Sequence, residues 1–413
     1  MLPYLLCEDD SHFDLLPFTY TRPLWLLRAG IYTSLERWQA ALGPEAQIGG
    51  MAFGYLQTHF NQLPAPQGEA YWVNGKCWPE AELLRRIEAL EPRQACLSPD
   101  GSEVWAARFS IEALPADHDG RLTPELIEQL GLRTERLDLS LRAFRFPEDL
   151  FRLNAEAIAF DFPLVTQAAP SAKLSDPYTR IYGADNLYVA PGAQARAALI
   201  NAEDGPVYLG PEVAIGEGAI VHGSHAFGAH SKVSMGAKLR GDSAFGPYVK
   251  VGGEVGNSVI MGYSNKGHDG YLGNSVLGYW CNLGADTNTS NLKNNYAPIK
   301  VWHYPSGRFR DTGLQFCGLM MGDHSKAGIN TMFNTGTVVG VSANIFGSGF
   351  PRTFIPSFAW GGASGFTTFQ PRKAFEVAER VMARRKLPFT DGERLILQQV
   401  FDSTATHRRW EAR

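Results

Sequence analysis

Between Asn265 and Gly273 the chain reads Asn-Lys-Gly-His-Asp-Gly-Tyr-Leu-Gly, which sets His268 among glycines with Tyr271 three residues on. A neutral imidazole accepts a proton near pH 7, so His268 can serve a nucleophile that must shed one as it attacks. A phenol three residues away can donate to the oxyanion that such an attack creates, or orient the acceptor. The plainer reading of the pair is a polar turn residue and a rung of an aromatic ladder. Three more histidines, His222, His225 and His230, lie close together and share part of the spacing of a zinc site, against the plainer reading as turn and interior imidazoles. The five cysteines, Cys7, Cys77, Cys96, Cys281 and Cys317, are scattered without a Cys-x-x-Cys pair, which fits reduced thiols better than disulfides or structural zinc.

Such residues need a carrier, and the surrounding sequence supplies a repeat. Leu209, Ile215, Val221, Phe227, Val233, Leu239, Phe245 and Val251 recur every six positions. A companion series two positions earlier, Val207, Val213, Ala219, His225, Ser231, Ala237, Ser243 and Val249, is small or β-branched except at His225. A six-residue period marks a hexapeptide β-helix, in which each repeat gives a short strand and a tight turn and points one residue into a triangular interior. Each interior residue contributes about 1.5–3 kcal/mol on burial, so the stack of rungs and no single rung holds the fold. A second register, Met321, Ala327, Phe333, Val339 and Ile345, resumes after an excursion at about 291–316 that mixes charge with aromatic residues. The expected fold class is therefore a left-handed parallel β-helix over 169–365, with a C-terminal helical tail over 366–413.

Residues 1–168 differ, carrying most of the Leu, Trp and Arg. Segments 79–90, 123–131 and 147–158 open on Pro or Thr-Pro followed by Glu and have helical apolar spacing, whereas 1–7 and 70–73 look like strands. This part reads as an α/β domain with a linker helix. A net charge of −4, from 38 basic and 42 acidic residues, gives no reason to expect nucleic acid or an anionic membrane as partner and favours a small molecule. The opening MLPYLLCEDD lacks the basic start of a signal peptide, and no apolar run reaches the ~20 residues of a membrane span, so the cytoplasm is the default compartment.

The Asn265–Gly273 segment is similar to the acetyltransferase domain of the bifunctional enzymes that acetylate glucosamine-1-phosphate and then uridylylate it. The register continues through Asn282, Gly284 and Asn291 and returns at Met321-Gly322-Asp323. That resemblance implies a homotrimeric hexapeptide acyltransferase with acetyl-CoA as acyl donor, His268 as catalytic base and Tyr271 as its companion. It further implies that Asn282 and Asn291 contact sugar or donor and that Arg240, in Lys238-Leu239-Arg240-Gly241, meets a sugar phosphate. Glu254, at the family's distance before the histidine, would join the substrate contacts. Two departures stand out: Gly256 takes the place of the family's phosphate-binding lysine, and Leu292 that of a tyrosine. The excursion, with Lys300, His303, Arg308 and Arg310, could supply replacement cations. The tail residues Arg380, Arg384, Arg385 and Lys386 could meet the donor's phosphates or only solvate a helix.

Residues 15–30 resemble the segment after the phosphate loop of sugar nucleotidyltransferases, which implies Thr19, Arg22 and Arg28 as nucleotide or sugar contacts, with magnesium only if this domain is active. Where that family has Gly-x-Gly-Thr-Arg, this chain has Asp10-Ser11-His12-Phe13-Asp14, and Leu24 stands for the family's lysine. Carboxylates in that loop repel phosphate. As a whole the chain resembles a divergent GlmU-like bifunctional family. The expected activity is transfer of acetyl from acetyl-CoA to an amino-sugar phosphate or nucleotide amino sugar, with a second, sugar-1-phosphate nucleotidyltransferase activity in the first domain. Two alternatives stay open. One is a non-catalytic trimeric sugar-nucleotide-binding scaffold, favoured by Gly256, Leu292 and the altered loop. The other is a γ-class carbonic-anhydrase-like zinc lyase, suggested by the histidine cluster.

Overall fold

Tyr4-Leu5-Leu6-Cys7 is apolar at every position and buried at every position, as a central strand covered on both faces must be. This strand, β1 (Tyr4–Cys7), lies between β2 (Ile48–Gly50) and β3 (Glu69–Asn74) and runs parallel to both. With β4 (Gln94–Leu97), β5 (Val104–Ser110) and β6 (Arg133–Arg136) it forms a six-stranded sheet in the order β2-β1-β3-β5-β4-β6, antiparallel where β5 meets β3 and β4. Trp72 and Phe109 stack at 4.5 Å between ring centres in the core, beside Leu126 and Ile127 of the helix Pro124–Gln129. Thr33 and Glu36 cap the helix Ser34–Leu42 reciprocally, satisfying two otherwise orphan N–H groups.

The computed structural model describes residues 2–62 and 67–412, in two compact units. The first comprises residues up to 27 together with 32–146, and the second 28–31 together with 147 onward. The division at 146/147 differs from the expected one at 168. The helix Asn154–Ala168 goes with the second unit because Asn154 Nδ2 donates to the Asp242 carbonyl at 3.1 Å. Its Oδ1 accepts from Gly30 N at 2.7 Å, which carries segment 28–31 along.

The second unit is a parallel β-helix. Three columns of short strands stack in parallel, one column beginning at Arg180–Tyr182, one at Leu187–Val189 and one at Gln194–Ala195. We call these the first, second and third faces. All eight residues of the six-step series from Leu209 to Val251 are buried in one interior cluster, as are Met321, Ala327, Phe333, Val339 and Ile345. Past Val251 the step shortens, and the interior passes through Val255, Ile260, Leu272, Leu277 and Leu283. One corner is built by residues at positive φ whose rings stack from coil to coil: His230, Tyr248, Tyr263, Trp280 and His324, with centres 4.3–6.2 Å apart. Another is stitched by serines, with Ser275 N donating to Ser258 Oγ at 3.2 Å and Leu319 N to Ser275 Oγ at 2.9 Å.

The excursion is more than a loop. It contains an antiparallel hairpin, Lys300–His303 with Arg308–Asp311, and its ends meet in a bridge between Leu292 and Phe316. An antiparallel strand Gly365–Thr368 closes the third face, and two helices follow, Pro371–Ala383 and Asp391–Ser403. Among the described residues no helix is long and apolar enough to cross a membrane.

Candidate functional site

His268 lies in the turn that joins strand Asn265–Lys266 on the third face to strand Tyr271–Gly273 on the first. Its side chain is exposed. The turn sits down on Gly252-Gly253: a Cβ on Gly252 would meet the Gly267 carbonyl at 2.5 Å, and one on Gly253, whose φ is +68°, the His268 carbonyl at 2.7 Å. Only glycine permits both the approach and the backbone angle.

Beside this turn the first face gathers four of the residues singled out in the sequence. Glu254 and Tyr271 are register partners on adjacent coils, and Arg240 is the partner of Gly256. Arg240 donates to Glu254 Oε1 through Nε at 2.9 Å and through a terminal nitrogen at 2.7 Å. Its guanidinium carbon lies 6.0 Å from the centre of the Tyr271 ring. Asn291 Nδ2 donates to Tyr271 Oη at 3.0 Å and to Asn274 Oδ1 at 2.7 Å, while Asn288 Oδ1 accepts from Tyr271 N at 2.9 Å. Gly273 makes room for the phenol, since a Cβ there would meet Tyr271 Oη at 2.3 Å. The group offers a cation, a carboxylate, a phenol and amides on one surface, next to an imidazole able to take a proton.

Other predicted residues go elsewhere. Asn282 belongs to the third face, opposite Asn265 and Lys326, and not to the Tyr271 face. Arg310 is tied to Glu148, a carboxyl that burial pushes up in pKa against the pull of that arginine, so it is not a spare cation. His303 Nδ1 meets Ser306 Oγ at 2.8 Å, whereas Lys300 and Arg308 are exposed. Arg385 donates to the Tyr248 carbonyl at 3.2 Å and lies over the Tyr248 ring. The three clustered histidines diverge: His222 faces Asp204 at 3.5 Å, His225 is fully buried with Nδ1 3.0 Å from the Gly223 carbonyl, and His230 stacks on Tyr248. They form no shared ligand set, so the zinc reading loses its motif.

A cleft of about 640 Å³ lies between the hairpin, the last coil and the tail, with Trp302, Phe354, Phe366 and Trp410 as apolar walls and Arg352 and Arg409 at its rim. Rings and guanidinium groups together suit a flat group that bears phosphate. Nothing in the sequence singled it out, because its walls come from separate segments between Trp302 and Trp410.

In the first unit a smaller cleft, about 230 Å³, opens where β1 and β3 end, lined by Asp9, Ser11, Lys76, Glu103 and Arg145 among others. Carboxyl ends of parallel strands are where open α/β sheets bind ligands. Lys76 is 3% exposed and pairs with Asp9 at 2.5 Å and Glu103 at 3.0 Å. Burial alone would raise the Asp9 carboxyl, but Lys76, Ser11 and Asn74 outweigh it and hold the group below the usual range. Glu103 is likewise lowered against its burial, by Arg145 and Lys76. Residues 11–14 form a short helix in place of a phosphate loop, and its first donors are already used: Ser11 N bonds Asp9 Oδ1, His12 N the Asp9 carbonyl and Phe13 N the Asp10 carbonyl, all at 3.0 Å. Thr19 is buried with Oγ1 donating to the His12 carbonyl at 2.6 Å, and Arg28 is buried in the second unit, bonding the Ile31 carbonyl. Neither Thr19, Arg22 nor Arg28 lines this cleft.

Residues 4–169 match the sugar nucleotidyl transferase family. The bifunctional protein GlmU of Methanocaldococcus jannaschii is 38% identical over 87 residues, 21% of either chain. Over these stretches the chain is similar to bifunctional GlmU-type proteins. A bifunctional sugar-1-phosphate nucleotidylyltransferase/acetyltransferase of Sulfurisphaera tokodaii is 34% identical over 93 residues, 22% of this chain and 23% of the relative. The aligned stretches thus span about a fifth of these relatives' lengths. Among solved structures, the polySia-specific acetyltransferase NeuO matches 48% of this chain and 87% of its own at 13% identity and a TM-score of 0.27. Arabidopsis UDP-N-acetylglucosamine acyltransferase matches 57% and 92% at 13% identity and a TM-score of 0.22. Both are too remote to add to the fold that the coils themselves display.

Proposed function

We propose that the β-helix unit transfers an acetyl group from acetyl-CoA to the amine of an amino-sugar phosphate or nucleotide amino sugar, in a homotrimer. The reading is carried by the exposed His268 beside the Arg240, Glu254, Tyr271 and Asn291 group. The amine nitrogen attacks the thioester carbonyl carbon, the carbonyl electrons pass to oxygen, and His268 takes the proton that the nitrogen sheds. Tyr271 Oη, held by Asn291, is the donor for the oxyanion or the acceptor sugar. Collapse expels the thiolate, which regains a proton, leaving an amide and free thiol. Arg240 holds the acceptor's phosphate, the task that Gly256 cannot perform. A panel of amino-sugar phosphates with acetyl-CoA, followed by free thiol, tests this. Activity in the parent protein and a large loss in His268→Ala support it, whereas full activity in the variant sinks it.

The family match over 4–169 favours a second reading for the first unit, sugar-1-phosphate nucleotidyl transfer. Of the cleft's cations, Lys76 is buried between Asp9 and Glu103, which leaves the exposed Arg145, paired with Glu103, as the one more accessible to a phosphate. Asp9, Asp10 and Glu103 do not fit a magnesium ion, because they are already bonded to Lys76, Arg121 and Arg145. Pyrophosphate release from a nucleoside triphosphate and a sugar-1-phosphate tests the activity. No release with any of the common sugar-1-phosphates leaves this unit a binding scaffold.

A further inference from the structure

Lys266 is the anomaly of the β-helix. It is 1% exposed and occupies an interior position, in register with Val251 of the coil before. On that face the interior residues of the coils before and after it, Val251 and Leu283, are apolar and buried. An ammonium group in such a place is costly unless its N–H groups are answered. It has three, and three carbonyls receive them: His268 at 2.5 Å, Gly252 at 3.1 Å and Asp269 at 3.3 Å. Two of those belong to the His268 turn and the third to the coil on which the turn rests.

We propose that Lys266 is a positioning residue for His268: from inside the β-helix its ammonium fixes the backbone of the turn that carries the imidazole outward. The proposal rests on the reading of His268 as base. A leucine, continuing the interior series, would fill the space but hold neither carbonyl. Burial lowers the amine's pKa to about 8, with Asp269 and Asp286 opposing, so the neutral form with two N–H groups lies within reach of ordinary buffers.

Lys266→Met separates positioning from mere structure, because an unbranched apolar side chain suits the interior. The melting temperature is expected to hold or rise. kcat for acyl transfer is expected to fall at least tenfold with KM nearly unchanged, and amide hydrogen exchange over 267–270 to quicken at least tenfold. Parent-like kcat and parent-like exchange together overturn the proposal. So does a loss of activity matched by a general fall in melting temperature with no selective loosening of the turn. His268→Ala is measured beside it: if that variant keeps full activity the base reading falls, and exchange of the turn alone then decides whether Lys266 orders it. Should the methionine variant fail to fold, exchange of the parent turn at pH 7 and pH 9, corrected for the intrinsic pH dependence of exchange, replaces it. Faster corrected exchange at pH 9 supports the role, and equal exchange refutes it.

Discussion

The turn after β1 and the turn that carries His268 are both places where an enzyme of this kind would keep its chemistry, and they settle their polar groups in opposite ways. At residues 9–14 the Asp9 side chain and the carbonyls of Asp9 and Asp10 consume the N–H groups that a phosphate would need, and Arg121 claims the Asp10 carboxylate. At 266–270 Lys266 bonds the His268 and Asp269 carbonyls from the interior, and Ser234 and the backbone N–H groups of neighbouring coils bond the other carbonyls, so the imidazole outside is not spent on the fold. A site stays available when the groups that shape it are bonded from behind.

Replacing His268 by alanine gives the largest contrast. Acyl transfer should drop by about 10²- to 10⁴-fold, while stability stays within about 0.5 kcal/mol because the side chain is exposed. Lys76→Met inverts that pattern: it strands Asp9 and Glu103 without their buried cation and should destabilise the first unit by about 3–5 kcal/mol in urea unfolding followed by tryptophan fluorescence.

Acid should separate the units as well. His225 is held at about 4 against an ordinary 6.5, first by burial, with the Gly223 carbonyl opposing and His222 adding. The unfolded chain therefore protonates first, so the stability tied to neutral His225 is full above pH 6.5 and is lost, on the order of 3 kcal/mol, as pH falls from 6.5 to about 4. Asp9 and Glu103 are lowered carboxylates, so their contribution persists down to their ordinary values of 3.8 and 4.5 and fades only below them. Thermal melts from pH 7 to 3 should show the β-helix weakening before the α/β unit. His225→Phe, which extends the ring stack of Phe227 and Phe245, should flatten the β-helix slope. An unchanged slope would assign the acid sensitivity to another group. The smallest effect belongs to Gly273→Ala, whose methyl must displace Tyr271 Oη. About tenfold in kcat and about 1 kcal/mol in stability are expected.

The six-residue series made the β-helix legible, because one face of each short strand must be apolar and the spacing repeats it. What the period could not carry is the run after Val251, where coils shorten at Gly252-Gly253 and the frame slips. Lys266 lay hidden there, since a lysine amid Asn and Gly reads as surface until three carbonyls are seen to enclose it. Arg240, Glu254, Tyr271 and Asn291 were nominated by resemblance and stand together because coil stacking brings positions 14 to 20 residues apart into contact. Asn282 carried the same signal, yet it faces another side, which spacing alone does not reveal. The first-unit cleft was missed for the opposite reason: Asp9, Lys76, Glu103 and Arg145 share no local pattern. The β-branched and aromatic Val301-Trp302 in Lys300–His303 and the Pro-Ser-Gly at 305–307 were available signals for the hairpin.

The bridge between Leu292 and Phe316 has a consequence for how such a molecule can change. Because the excursion leaves and re-enters the β-helix at adjoining points, its length is nearly invisible to the coils, and the strand after it resumes in register with Val276 and Leu277. The hairpin is therefore a cassette. Exchanging it for another segment should redraw the surface near Asn291 and loosen the last coil, where Trp302 stacks on Phe354 at 4.1 Å, while leaving the earlier rungs as they are.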